Sequence, residues 1–269
     1  MKHVKIDRFP GGKRFALTMS YDDGQIHDRR LVDIFNRYGI KGTFHLNSAN
    51  MQGGGGGIFV SPDEVAELYR GHEVAGHTAT HPLPDQLPRE ELLWELTADR
   101  RALEAWAGYP VRGLSYPCGI STDAMRRLMK ATGYDYARTI ASTGGFAVPE
   151  DFLLWHPSCH HNHDIFGLGK ALTSDYALPS QRLMYVWGHS SEFEGDDNWD
   201  RIEEFCKQMG GRDDIWYATN IEVYDYTMAQ RALQLTVERT AAYNPSAVDV
   251  WLTVDGQTVC VPSGQTVQL

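Results

Sequence analysis

Three places in this chain gather residues that can hold a metal ion or move a proton. Asp22 and Asp23 stand side by side before Gly24, at the end of the apolar run FALTMSY. His77 and His81 stand four apart in GHTATHP, with a glycine before the pair and a proline after it. His189 lies in YVWGHSSEF. Neighbouring carboxylates repel, and more so where water is scarce. A divalent cation would be the largest local charge and would reverse that cost. Neutral imidazoles four apart face one way on a helical turn and suit zinc and similar divalent metals. One carboxylate, Asp23, with His77 and His81 leaves coordination positions open, which distinguishes a catalytic metal site from a structural one. Asp22, pointing elsewhere, would stay off the metal and take a proton from bound water. His189 is either a third metal ligand or a general acid on the side away from Asp22. Arg112, in VRGLSYP, would brace a carboxylate. Tyr116-Pro117 fixes a turn whose backbone N–H would point at a developing oxyanion.

These residues need elements to position them. RFALTMSY reads as a short buried strand. DRRLVDIFNRYG has helical spacing and a Gly39 stop. KGTFHLNS is a second strand, with Thr43, His45 and Asn47 on one face and Phe44 and Leu46 on the other. The five glycines 53 to 57 read as a loop. Ser61-Pro62-Asp63-Glu64 has the form of a capping box before a helix that stops at Gly71. HEVAG is a strand, and REELLWELTADRRALEAWAG a long helix. VRGLSYPCG is strand and turn, TDAMRRLMKATG helix, and YDYARTI strand. LLWHPS, LMYVWGHS and DIWYATN read as further strands and WDRIEEFCKQMGG as a helix. Strand and helix alternate about eight times, which predicts parallel strands with crossover helices. SYDDG, GHTATHP, SYPCG and WGHSS each fall where a strand gives way to a loop. In parallel barrels chemistry sits at the carboxyl ends of strands, so these clusters would converge on one rim. From about residue 244 the pattern changes to VDVWLTV, Asp255-Gly256 and QTVCV, a small antiparallel unit. The expected division is a barrel over 1–243 and a β-hairpin-like extension over 244–269.

Composition narrows the partners. The 269 residues carry a net charge of -10 with a pI near 5.5, and no basic stripe exists to meet phosphates, which excludes nucleic acid. No run approaches the roughly 18 apolar residues of a membrane span. The first residues lack an apolar signal-peptide core, so the expectation is a cytoplasmic chain as written, secreted only if an export signal was trimmed away. Cys118, Cys159, Cys206 and Cys260 stand far apart with no CxxC pair, and read as single buried thiols. Trp187, Trp199 and Trp216 are candidates for stacking on sugar rings or for packing.

Taken in order, these segments resemble the polysaccharide deacetylases, the carbohydrate esterases of family four, over about residues 13 to 190. In that family an aspartate pair before glycine, here Asp22-Asp23-Gly24, supplies a base and then a metal ligand. His77-Thr78-Ala79-Thr80-His81 matches the motif that gives the two metal histidines. Arg112-Gly113-Leu114-Ser115-Tyr116-Pro117 approaches an arginine-to-proline motif with one residue too many. The late histidine motif is met by His189, which the resemblance casts as general acid. The Asp-Trp segment of the family is missing. LLWHPSCHHNHD offers His156, His160, His161, His163 and Asp164 instead. Asp164 or Glu192 would then tune His189, and the histidine run reads as a polar loop, a substrate contact or a second metal site. The resemblance implies a distorted, incomplete (β/α) barrel and a divalent-metal hydrolase, with zinc first and cobalt or nickel as alternatives. It would remove an acetyl or other acyl group from a carbohydrate. Hydrolysis of a non-sugar amide, or a carbohydrate-binding module with a decayed site, are the alternatives.

Overall fold

The computed structural model describes residues 2–53, 57–174 and 181–269. The strands are β1 (Val4–Lys5), β2 (Phe15–Asp23), β3 (Gly42–Leu46), β4 (Glu73–Gly76), β5 (Gly113–Ser115), β6 (Tyr136–Arg138), β7 (Cys159–His160), β8 (Arg182–His189), β9 (Ile215–Tyr217), β10 (Gln234–Leu235), β11 (Ala241–Tyr243), β12 (Val250–Val254), β13 (Gln257–Val261) and β14 (Thr266–Gln268). The helices are α1 (Asp28–Tyr38), α2 (Ser48–Gln52), α3 (Val65–Leu68), α4 (Arg89–Ala107), α5 (Asp123–Ala131), α6 (Ile165–Leu172), α7 (Ser190–Gly195), α8 (Trp199–Met209) and α9 (Asn220–Ala232).

Strands β2 to β9 form one parallel sheet, ordered β6-β5-β4-β3-β2-β8-β7, with β9 also against β2. The sheet curls into an incomplete (β/α) barrel. Strand β2 is its axis. One edge pairs with β8 from Phe15 to Asp22; the other is shared by β9 over Phe15–Leu17 and β3 over Met19–Asp23. All but the last residue of β2 are buried, as expected of a parallel strand covered on both faces.

Helix α1 forms because Leu31, Val32, Ile34 and Phe35 make one buried stripe, and Gly39 ends it in the left-handed conformation that glycine adopts freely. Tyr21, Phe35, Phe44 and Phe193 lie in the apolar cluster this stripe joins. The other face of β3 is polar. The Thr43 hydroxyl donates to Glu73 (3.0 Å), His45 Nδ1 donates to the Gly76 carbonyl (3.2 Å), and Asn47 reaches on to the loop after β4.

Four local expectations change. LLWHPS is not a strand; Phe152–Leu154 form a 3-10 turn and only Trp155 bridges to Arg138. Ser61 makes no side-chain cap, and a 3-10 turn over Pro62–Glu64 leads into the short α3. DIWYATN is a strand only over Ile215–Tyr217, because Asn220 already opens helix α9, started by a capping box between Thr219 and Glu222. Cys118 is exposed, whereas Cys159 and Cys206 are buried. The strands beyond α9 make two small antiparallel sheets. One joins β12 and β13 to β1 at the other end of the chain; the second is β10-β11-β14. No helix among the described residues is long and apolar enough to cross a membrane. Residues 54–56 of the glycine run lie outside the described residues.

Candidate active site

The carboxyl ends of β2, β4, β5 and β8 open on a cavity of about 540 Å³, lined by Asp22, Asp23, His77, His81, Tyr116, Cys118, Trp187 and His189 among others. Successive side chains on a strand point to opposite faces. Asp22 and Asp23 escape that rule because Asp23 takes a left-handed φ of 81°. Both carboxylates therefore face one space.

Asp22 is 3% exposed. Its Oδ2 pairs with the Arg138 guanidinium, and its Oδ1 accepts from the Ser115 hydroxyl at 3.1 Å. Burial alone would raise its carboxyl. Arg138, then His77, His45 and His189, outweigh burial and hold it well below the usual carboxylate range. Asp22 is thus held in its ionised form by these neighbours. Asp23 is more open, and its Oδ1 lies 3.8 Å from His77 Nε2, the same distance that separates that nitrogen from Asp22 Oδ2.

His77 and His81 do not sit on a helical turn. Thr78 and His81 are both left-handed, with φ of 67° and 59°, and the resulting kinked loop brings the rings to 4.7 Å between centroids. Side chains from elsewhere hold this loop. Asn47 Nδ2 donates to the His77 and Thr78 carbonyls at 2.7 and 2.9 Å. Glu95 and Asp99, one turn apart on α4, accept from the Thr80 N–H (2.9 Å) and the His77 N–H (3.1 Å).

One donor atom each from Asp23, His77 and His81 lies within 4.8 Å of the others. The donor set fits a divalent cation. His77 Nδ1 donates to the Ser115 carbonyl at 2.8 Å, which leaves a lone pair on Nε2, the nitrogen facing the aspartates. Burial keeps His77 below its ordinary pKa despite the nearby carboxylates, so the ring is neutral, as a ligand must be.

His189 ends β8 opposite Asp22 in register. Burial would lower its pKa, but Glu192, Asp22 and Asp23 raise it to about 9. Glu192 Oε2 lies 3.4 Å from His189 Nδ1 and also accepts from the His189 backbone N–H. Asp164, the other candidate partner, instead caps α6 through the Gly167 N–H.

Two expected residues are placed differently. Arg112 does not reach the site; it pairs with Asp135 (2.6 Å) and Asp225 (2.8 Å) on the outside of the barrel. Arg138, fully buried and stacked over Trp187 at 4.4 Å, holds Asp22 instead. The Tyr116 N–H is not available for an oxyanion, because the sheet ladder commits it to the Arg138 carbonyl at 3.0 Å. Two residues on, Cys118 turns left-handed (φ 52°) at the cavity wall, and its N–H makes no hydrogen bond among the described residues. Of the three tryptophans, Trp187 lines the cavity, Trp199 is packed on Phe193, and Trp216 is packed on Phe9 and Tyr226. His156 bonds to Thr139 and lines a different cavity.

A family model described as polysaccharide deacetylase matches residues 10–137. Among solved structures, a Mycobacterium smegmatis protein classed with the polysaccharide deacetylases is 16% identical over 86% of this chain and 96% of that one, with a TM-score of 0.59. A carbohydrate esterase family-four pseudoenzyme from Bacillus anthracis is 17% identical over 80% of this chain and 66% of that one, with a TM-score of 0.50. The chain spans 61% of the Streptococcus pyogenes deacetylase PplD, solved with acetate, at 18% identity over 51% of its own length and a TM-score of 0.48. At such identities the likeness is one of fold. No curated protein matches the sequence.

Proposed function

We propose, from the match of residues 10–137 to the polysaccharide deacetylase family model, that the protein is a metal-dependent hydrolase that removes an acetyl group from a carbohydrate. The observation that carries this reading is the meeting, in one cavity, of a three-ligand cluster with the Asp22 carboxylate and the His189 imidazole. A binding module needs no such acid and base.

Asp23, His77 and His81 would hold the cation, zinc or a neighbour in chemistry such as cobalt or nickel. When bound, it supplies Lewis-acid polarisation of the acyl carbonyl and acidifies a water. Asp22 receives the proton of the attacking water on its carboxylate. Arg138 and Ser115 keep that carboxylate ionised and aimed. The Cys118 N–H, in place of Tyr116, donates to the oxygen that gains charge. His189 delivers a proton from Nε2 to the leaving nitrogen or oxygen, while Glu192 on Nδ1 keeps the ring charged and oriented. Trp187, which lines the cavity, would meet the sugar there.

Elemental analysis of wild type and His77→Ala tests the metal assignment, and acetate release from acetylated sugars tests the reaction. The reading expects about one tightly held equivalent lost in His77→Ala, and turnover abolished by Asp22→Asn with the metal retained. Near-normal acetate release by Asp22→Asn would remove Asp22 as base. Metal uptake with no turnover on any acetylated sugar would favour a binding protein.

A further inference from the structure

The second concentration of ligand atoms lies beside the first. His160, His161 and Glu192 each offer one atom within 4.8 Å of the others. His160 Nε2 and His161 Nε2 are both 3.1 Å from Glu192 Oε2. Ligands at about 2.0–2.2 Å from a common ion stand about 2.9–3.1 Å apart around an octahedral ion and about 3.3–3.5 Å apart around a tetrahedral one. Both separations from Glu192 match the octahedral figure, and the ligand atoms of His160 and His161 lie within 4.8 Å of each other.

His161 is the unusual member. Its side chain is 0% exposed, yet neither ring nitrogen has a hydrogen-bond partner among the described residues. The 3.1 Å approach to Glu192 is close, but it is not aligned as a hydrogen bond. The ring is fixed in place. It stacks between Tyr21 (5.7 Å between centroids) and Phe193 (4.1 Å), and it fills a slot that exists because position 188 is glycine; a Cβ there would lie 2.0 Å from His161 Nδ1. His161 Nε2 faces Glu192 Oε2 across 3.1 Å from this fixed ring, and an ion held between the two would satisfy both atoms at once. His160, 14% exposed, and Glu192, 34% exposed, give the ion a path from solvent.

We propose that His160, His161 and Glu192 form a second divalent-cation site, suited to zinc, whose occupation inhibits the enzyme. Two imidazoles and one carboxylate are a zinc-type donor set. Binding there asks one adjustment of His160. Its Nδ1 now accepts from the Asn162 N–H at 3.2 Å, so the ring must take the other tautomer and give up that bond, at about 1 kcal/mol. The second site is therefore the weaker one. The inhibition rests on the function proposed above. Glu192 is the carboxylate facing His189, so an ion on Glu192 withdraws that partner and sets positive charge beside the acid.

Zinc titration by calorimetry, with elemental analysis after gel filtration, tests this on four proteins: wild type, His77→Ala, His160→Ala and the double variant. The expected uptake is about two, one, one and zero equivalents. Acetate release should fall in wild type as zinc passes the first equivalent, and should stay level in His160→Ala. A wild type that stops at one equivalent, or a His160→Ala protein that still takes two, overturns the second site. The stoichiometry of His77→Ala keeps the outcomes apart: uptake of one equivalent lost on adding His160→Ala supports the second site even if no acetyl sugar proves to be a substrate. His161→Phe, which fills the same slot, serves as an independent variant and should also lose the second equivalent.

Discussion

Replacing Glu192 by glutamine isolates the charge that holds His189 protonated. The glutamine carbonyl can still accept from the His189 N–H, so the start of α7 is kept. At the 3.4 Å separation, removing a unit charge is worth about 1.2 kcal/mol at a dielectric of about 80 and about 4.9 kcal/mol at about 20. Glu192 is a third exposed, which places the true value toward the lower figure, about one to two pKa units at about 1.4 kcal/mol each. In the proposed mechanism His189 acts as the imidazolium, so activity is expected below its pKa and lost as pH rises through it. The alkaline limb of kcat/KM should then move from about 9 to about 7–8 in Glu192→Gln. At pH about 8.5 the variant should be about eight-fold slower, and at pH about 6 equal to wild type. Acetate release followed across pH by an enzyme-coupled assay gives the profile. An alkaline limb that stays near its wild-type position would refute the link between Glu192 and the acid.

Arg138→Met leaves Asp22 buried without its counter-charge and should lower stability by about 3–5 kcal/mol in denaturant titration. Arg112→Ala, which breaks one half-buried and one exposed pair on the outside of the barrel, should cost about 1 kcal/mol and leave kcat/KM unchanged. Gly188→Ala drives a methyl into the His161 ring and should cost about 1–3 kcal/mol, read from the urea midpoint. Cys118→Gly keeps the N–H and relieves a left-handed residue, so activity should hold and stability should rise by about 1 kcal/mol. Alkylation of the exposed thiol should inactivate wild type and spare that variant.

Much of the barrel is legible because its strands and helices are short, strongly patterned and punctuated by glycine. Gly39 and Gly108 close α1 and α4 in left-handed caps, as their positions after apolar stripes predict. Helix α9 is hidden because Val223, Tyr224 and Tyr226 favour strands in isolation, although Thr219-Asn220-Ile221-Glu222 has the form of a capping box. The candidate metal ligands can be read because Asp23 adjoins Asp22 and His77 stands four residues from His81, pairs of unusual type at strand ends. Arg138 cannot, since it lies 116 residues from Asp22 at the end of YDYAR, and only the pairing of β5 with β6 brings it inward beside Ser115. The choice between Asp164 and Glu192 likewise depends on the turn of a helix. Asp164 spends its oxygen on its own helix start, and Glu192 faces back toward His189. Tyr116 misleads for a different reason: a backbone N–H has no sequence signature for whether the neighbouring strand has already claimed it.

The two halves of the site open at different free energies. Asp22 and Asp23 finish a strand bonded along both edges, and amides in such a strand exchange only when the whole fold opens. The loop from Thr78 to His81 hangs from Asn47, Glu95 and Asp99 and carries two left-handed residues, so local opening frees it at lower energy. On warming, amides of residues 78–81 should exchange before those of 17–22. The histidines would let go first, and a cation held at the proposed site would be shed while the barrel, with both carboxylates in place, remained folded and ready to reload.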